Sequence, residues 1–311
     1  MQKLVLYCIV LYCIVFRGWI QDLFVKIIQH IGNILAYSLK KVKFKFNGFY
    51  NILIIFFFYN KLFFMIFTIF YILIGVIFTA LNFLAVFILY IFVRPFSKKK
   101  SIIISHSFSK FWARGLMKMA FIKFDLENKE NYDSKKVYLL TPNHQSAFDI
   151  FCCFCIFKGL YAFVSKDTYG KVPMVGFGMK LANYIFVKRG TVGAAKSIED
   201  IAERLNNQTS AVLYPEGTRS KTGEINMPKR GILRVAEKCP DIPILPVVIY
   251  GTKDIMKARS FKINPFRKIK VRFLKPFYFK DIEGDENFKL KYWHDIMTKN
   301  YNDLKDKDNN E

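Results

Sequence analysis

Residues 141–149, TPNHQSAFD, hold one of the chain's four histidines and set a carboxylate five residues after it. A histidine and an acid in contact make a general base with its orienter. The carboxylate fixes the imidazole tautomer and stabilises the cation formed when the other nitrogen takes a proton. On a single helix the two side chains would lie ~140° apart at 3.6 residues per turn, and would not meet. His144 therefore belongs in a turn, with Asp149 in the first turn of the helix that follows. Ser146, Ala147, Phe148 and Asp149 fit a capping box, which starts a helix there. Two readings stay open on this stretch alone: Asp149 reaches the imidazole, or it only caps and His144 is an ordinary loop residue. Ser146 is near enough to be a nucleophile, but the G-x-S-x-G elbow is missing and Ser146 suits an N-cap. A substrate hydroxyl is the better proton donor, and a serine hydrolase is disfavoured.

Two further loops carry compatible chemistry. In YPEGTRSKTG, residues 214–223, Gly217 lets backbone approach a ligand closely. Arg219 offers a planar fork suited to phosphate, Thr218 a hydroxyl and Glu216 an acceptor. A surface turn rich in turn formers has the same composition. In FVKRG, Arg189 is a further cation at a strand end, or simply a solvated charge. The six cysteines, Cys8, Cys13, Cys152, Cys153, Cys155 and Cys239, lie in or beside apolar runs and read as reduced, buried small hydrophobes. The C-C-x-C cluster has no second Cys/His pair at zinc-site spacing, so no metal is expected.

The elements that must position these loops alternate in type. KVYLLT, NYIFVKR, SAVLYP, IPILPVVIYG and KIKVRFL read as strands. SAFDIFCCFCIF, GAAKSIEDIAERL and PKRGILRVAEKC, the last opened by Pro228, read as helices. The α/β class with a mostly parallel sheet flanked by helices follows. Such folds set their sites at the C-terminal ends of strands, and Asn143-His144, Lys188-Arg189 and residues 216–219 each lie just past one. A helix around Phe108, Trp112, Leu116 and Met119, with Lys110, Arg114 and Lys118 interleaved, reads as an amphipathic membrane-surface helix or as one packed on the domain.

Composition adds a bilayer. The chain is 311 residues, 52% hydrophobic and 17% aromatic, with net charge +24. Residues 1–100 carry twelve Lys/Arg and a single acid, Asp22, a bias that favours the cytoplasmic side. The apolar run 4–16 is too short to span and reads as interfacial, and 40–46 as a polybasic surface segment. Residues 62–93 run 32 positions without a charge. As one helix they would be ~48 Å long at 1.5 Å per residue, against a hydrocarbon core of ~30 Å. The run is therefore one tilted span or a shallow hairpin broken near Gly75, with the flanking cations mildly favouring the hairpin. Asn82 suits a helix–helix contact better than a lipid face. A pore or transporter needs more spans than this. A non-enzymatic basic membrane or nucleic-acid binder is a distant alternative, supported mainly by residues 261–280, where basic and aromatic residues interleave.

The three loops together resemble the glycerolipid acyltransferases. NHQSAFD looks like their N-H-x4-D block, NYIFVKRG their second block, YPEGTRS their E-G-T-R block and ILPVVIYG their fourth, in order over residues 136–250. VPMVGFGMK resembles the stretch before the second block. The 1-acylglycerol-3-phosphate acyltransferase branch matches best. The resemblance implies that His144 is the base on a glycerol hydroxyl and Asp149 its orienter. It implies that Glu216, Gly217, Thr218 and Arg219 hold the glycerol phosphate beside Arg189, and that Asn143 and Pro246 support the site, Pro246 shaping the acyl-donor side. It also implies acyl-CoA or acyl carrier protein as co-substrate, no cofactor, and lysophosphatidic acid and membrane lipids as partners, with no nucleic acid. Lys188 stands where the family has Asp, which leaves the acceptor open between lysophosphatidic acid, glycerol 3-phosphate and another lysophospholipid. The expected organisation is a membrane-associated region at 1–100, with membrane-embedded helices, then an acyltransferase domain at 101–304 and a polar solvated tail at 305–311. The expected location is a bacterial cytoplasmic membrane or the endoplasmic reticulum, with the catalytic domain on the cytoplasmic side.

Overall fold

The apolar runs that read as strands are short, and short continuous apolar strands are stable only when covered on both faces. A computed structural model describes residues 49–187 and 191–310. The segments at 4–16 and 40–46, together with Lys188 and Arg189, lie outside the described residues. By internal packing the chain divides into Met1–Phe63 and Phe64–Glu311. Apart from the first turns of α1, every described element belongs to the second unit.

In chain order the elements are α1 (Phe49–Val93), α2 (Lys98–Met119), β1 (Lys123–Glu127), β2 (Leu139–Pro142), α3 (Phe148–Ile156), β3 (Tyr161–Lys166), α4 (Val175–Leu181) and β4 (Ile185–Val187). There follow α5 (Thr191–Asn206), β5 (Ser210–Val212), α6 (Gly231–Lys238), β6 (Ile244–Tyr250), α7 (Thr252–Ile255), β7 (Lys268–Phe273) and α8 (Glu286–Asn309). The strands form one sheet ordered β1-β7-β6-β2-β5-β3-β4. β6, β2, β5, β3 and β4 are parallel, while β7 is antiparallel to β6 and carries β1 parallel to itself. The sheet is thus mostly parallel, with helices packed on it. β2 is central: Leu139 registers with Ile244 on one side and Ala211 on the other. All seven residues of β6 are buried. α6 starts at Gly231 rather than at Pro228, which sits in the preceding loop.

Residues 62–93, open on sequence between one helix and a hairpin broken near Gly75, form one helix. α1 continues through Gly75, where an added Cβ would meet Leu116 at 3.5 Å, so the small residue serves close approach of α2 and not a turn. Gly115 does the same from the other helix: a Cβ there would lie 2.5 Å from the Phe78 ring. Phe67, Tyr71, Phe78, Asn82 and Val86 form one buried stripe on α1, with Asn82 facing protein. Trp112 Nε1 donates to Thr79 Oγ1 at 2.8 Å, and the Phe83 and Phe87 rings stand edge-on to Phe177 at 5.8 and 5.7 Å. This packing places residues 64–100 in the same unit as the sheet. α2 is a packed helix, with the Trp112 ring edge-on to Phe151 at 5.2 Å.

The C-terminal tail is not solvated coil. α8 runs to Asn309, starting from an N-cap at Asp285 and burying Leu290, Trp293, Met297, Tyr301 and Leu304 at helical spacing. Its last turns supply acids to two buried cations of β7. Lys270 pairs with Asp308 at 3.1 Å, and Arg272 with Asp303 at 3.0 Å and with Glu127 at 2.7 Å. A buried cation without such partners costs several kcal/mol, so these pairs hold the tail in place. They also use up, inside the fold, part of the basic character of residues 261–280.

Trp293 is fully buried, and its Nε1 donates to Thr141 Oγ1 at 3.0 Å, just before the histidine turn. Trp293→Ala should lower the unfolding free energy by about 3–5 kcal/mol. Denaturant titration in detergent measures this. A loss under about 1 kcal/mol would show that α8 is not part of the core.

Candidate active site

Because β6, β2 and β5 are parallel neighbours, their C-terminal ends deliver three loops to one edge of the sheet. Asn143, fully buried, continues β2 by side chain: Nδ2 donates to Ile249 O at 2.9 Å and Oδ1 accepts from Ile249 N at 2.7 Å. This amide ladder fixes the point at which the chain leaves the sheet. His144 follows, its side chain 16% exposed, with Nδ1 2.9 Å from Asp149 Oδ2. Asp149 is fully buried. Its Oδ2 also accepts from the backbone N–H groups of Gln145 (2.6 Å) and Ser146 (2.8 Å), and its Oδ1 accepts from the Thr252 hydroxyl. A carboxylate so supplied with donors is an acceptor towards the imidazole. The shared proton therefore sits on His144 Nδ1, and Nε2 carries the free lone pair.

The Ser146-to-Asp149 turn approximates the expected capping box. Asp149 reaches back to Ser146 N–H, and Ser146 Oγ accepts from Phe148 N at 3.2 Å. The Ser146 hydroxyl also donates to Met256 O at 2.7 Å. It is spent on structure, which agrees with its dismissal as a nucleophile. Capping and orienting are therefore not alternatives here, because one carboxylate does both. The Tyr214 ring stacks on the imidazole, centroids 4.1 Å apart and planes 23° apart, which fixes the ring plane. Burial pushes the Tyr214 phenol well above its ordinary range, so it stays neutral.

The 214–223 loop divides into a buried half and an exposed half. Glu216 was expected to face substrate, but both its oxygens are engaged by protein. Oε1 accepts from His144 N at 2.6 Å, and Oε2 from Asn226 N at 2.9 Å and Nδ2 at 2.8 Å. Burial raises its pKa, opposed by these hydrogen bonds. Glu216 braces the histidine turn, and a carboxylate there would repel a phosphate. Ser220 N donates to His144 O at 2.8 Å, a second tie between the loops. Gly217 and Thr218 are exposed and Arg219 is half-buried. Gly217 adopts φ +71°, and an added Cβ would meet Lys229 Cε at 3.0 Å. The Lys229 stem thus lies across the glycine. Lys253 lies similarly against Gly223, whose added Cβ would be 2.8 Å from Nζ. These two cations and Thr252 carry no motif and were missed by sequence reasoning; Tyr214 opens the quoted 214–223 run, but its stacking on His144 is set by the fold alone.

Pro246 lies inside β6 opposite Thr141, and its carbonyl accepts from Leu274 N at 3.0 Å. It is a core strand residue three positions before Ile249, not part of the exposed edge, so the acyl-donor-side role implied for it has no support in this geometry. Among the described residues no group of three His, Cys, Asp or Glu side chains is placed to hold a metal ion. Arg189 lies outside the described residues, two positions past the end of β4.

Residues 123–250 match the family model named Acyltransferase. The match lies on the stretch that holds β1 to β6 and the three loops. Among curated proteins it is similar to a chloroplastic 1-acyl-sn-glycerol-3-phosphate acyltransferase of Brassica napus, 30% identical over 56% of this chain and 50% of that one. It is also similar to the 1-acyl-sn-glycerol-3-phosphate acyltransferase of Saccharomyces cerevisiae, 32% identical over 49% of this chain and 51% of that one. The aligned part thus spans about half the length of these relatives. The fold matches that of the 1-acyl-sn-glycerophosphate acyltransferase of Thermotoga maritima, with TM-score 0.69, 22% identity, and cover of 79% of this chain and 97% of that one.

Thr252→Val keeps shape but leaves Asp149 Oδ1 buried without a donor. Stability should fall by about 1–3 kcal/mol. Thermal unfolding of the purified variant reads this, and an unchanged midpoint would show that the carboxylate does not depend on Thr252.

Proposed function

We propose that this protein transfers a fatty acyl group from a thioester, carried on coenzyme A or acyl carrier protein, to the sn-2 hydroxyl of lysophosphatidic acid. One observation carries the reading. A partly exposed turn presents His144, oriented by a dry Asp149 at 2.9 Å, beside the exposed Gly217 and Thr218 and the half-buried Arg219. The names of the relatives supply the substrate class.

The chemistry follows from the residues. A glycerol hydroxyl is a weak nucleophile near neutral pH. As its oxygen attacks the thioester carbonyl, its proton passes to His144 Nε2. The imidazolium is stabilised through Nδ1–H by Asp149. When the tetrahedral adduct collapses, the C–S bond breaks and the thiolate takes the proton back from Nε2. No covalent enzyme intermediate is required. Arg219, Lys229 and Lys253 give the exposed loop the charge to hold a phosphate, with Gly217 keeping the backbone approachable. In this reading Glu216 and Asn143 position the base and do not touch substrate. Arg189 is retained as a further phosphate cation on the motif alone.

Membrane attachment suits an amphipathic acceptor. Leu62–Val93 is long and apolar enough to cross a bilayer, with 22% of its most apolar window buried. Its outward side exposes Met65, Ile69, Leu73, Val76, Ile77, Leu84 and Ile91. Its inward side touches the domain from Phe64, under Lys262, to Phe87, against Phe177. That is ~35 Å of helix at 1.5 Å per residue, more than the ~30 Å hydrocarbon core. A helix so occupied lies along one leaflet with the domain beside it. The acceptor then reaches the site laterally, and the positive bias of residues 1–100 sets this side as cytoplasmic.

His144→Ala should cut turnover by ~10²–10⁴-fold in a membrane assay with lysophosphatidic acid and acyl-CoA. Arg219→Ala and Lys229→Ala should mainly raise KM for the acceptor. Activity retained by the histidine variant would end the base assignment. A panel with glycerol 3-phosphate, other lysophospholipids and acyl carrier protein donors decides the acceptor and the carrier.

A further inference from the structure

The loop between α7 and β7 is unused by the acyl-transfer reading, and its composition is distinctive. Residues 255–268 hold five cations, Lys257, Arg259, Lys262, Arg267 and Lys268, and no acid. Two phenylalanines stand out from it: Phe261 is 82% exposed and Phe266 59%. Exposing rings of about 150–250 Å² each is unfavourable in water unless something covers them.

The loop is built. Asn264 N donates to Ile255 O and its Nδ2 to Asp254 O, both at 2.9 Å. Phe266 N donates to Ala120 O at 3.0 Å, and its ring stacks on Phe121 at 4.6 Å. Ile263 is buried, and its N–H donates to Thr68 Oγ1 of α1 at 3.0 Å. Lys268 is taken by Asp125 at 3.2 Å and Lys262 lies over the Phe64 ring at 5.0 Å. Among the described residues no acid pairs with Lys257, Arg259 or Arg267. The scaffold is pinned at several points while its rings and free cations project.

We propose that residues 257–267 are a second membrane contact, selective for anionic lipid, with the Phe261 and Phe266 rings entering the headgroup boundary. Two observations favour lipid over nucleic acid as the occupant. The loop is hydrogen-bonded to Thr68, so it continues the apolar face that α1 exposes at Met65 and Ile69. The cations of the adjoining strand, Lys270 and Arg272, are buried and paired, so the patch does not continue along β7. Aromatic rings interleaved with unpaired cations match an interface bearing anionic headgroups, where cations near the surface add attraction that salt screens. The loop leaves directly from α7, whose Thr252 holds Asp149, so lipid contact is made one element from the site.

The test is fluorescence quenching of the full chain reconstituted in vesicles, comparing Phe261→Trp and Phe266→Trp with the parent to isolate the added indole. Brominated acyl chains should quench it several-fold more in phosphatidylglycerol vesicles than in phosphatidylcholine vesicles. Salt should weaken the difference, and adding Arg259→Glu and Arg267→Glu should remove it while flotation with vesicles persists through α1. An indole that stays open to aqueous iodide in both vesicle types would overturn the proposal. So would a salt-sensitive shift of duplex RNA by the parent, lost in the double charge variant, without lipid quenching. None of these readings needs turnover, so failure here is separate from failure of the acyl-transfer assignment.

Discussion

The site rests on one buried carboxylate. Asp149 is fully shielded from water, and an isolated ion there would be prohibitively costly. It is held by donors from three places: the backbone of the turn before it, the imidazole of His144 and the hydroxyl of Thr252 beyond β6. Each donor lowers the cost of the charge, and each is placed in turn by the charge. The histidine tautomer follows from this arrangement. So does the joining of β2's loop to β6's, which gives the active edge its shape.

Glu216 is the second buried acid and works by the same logic. Burial disfavours its ionised form, and three protein donors offset that. One of the three is the His144 backbone N–H. The histidine turn is thus clamped between two acids, one gripping its side chain and one its backbone. The neighbouring Gly217 and Thr218 are left free of such duties and open to solvent, with Arg219 half-buried beside them. In the acyl-transfer reading, a rigidly held His144 beside an accessible loop suits transfer between two separately bound substrates, because misplacement of the base by about an ångström is costly in rate.

Most of this was legible where physics is local. The run NHQSAFD encodes its own turn, helix start and orienter within seven residues, and the parallel strands announce themselves as continuous apolar runs. Legibility failed where partners are distant. Thr252 and Lys229 carry no motif, and only the fold brings them to Asp149 and Gly217. α8 was missed because its stripe from Leu290 to Leu304 is narrow and set in charged sequence. The acids of its last turns read as solvated tail until Lys270 and Arg272 are seen buried opposite them. Gly75 left the helix open to a break on sequence because a glycine in an apolar run marks either a turn or a close approach. The Leu116 side chain, far along the chain on α2, decides which.

The same ambiguity bears on how the domain meets its lipid. An unbroken helix of this length can cross a bilayer if lipid surrounds it, or lie along one if protein covers a side. Hydropathy is blind to the difference, since it averages around the helix. Small residues are not: at the α1–α2 contact Gly75 faces Leu116 and Gly115 faces Phe78, which lets the helix seat against the domain. Once seated, the helix shares its polar handles with the domain, Thr79 with Trp112 and Thr68 with Ile263. Both threonine hydroxyls also donate within the helix, to Phe64 O and Gly75 O, but the buried Tyr71 hydroxyl donates to Leu116 O at 3.3 Å and would lose that partner if the helix crossed alone. The apolar surface of α1 is therefore divided between a face owed to protein and a face owed to lipid.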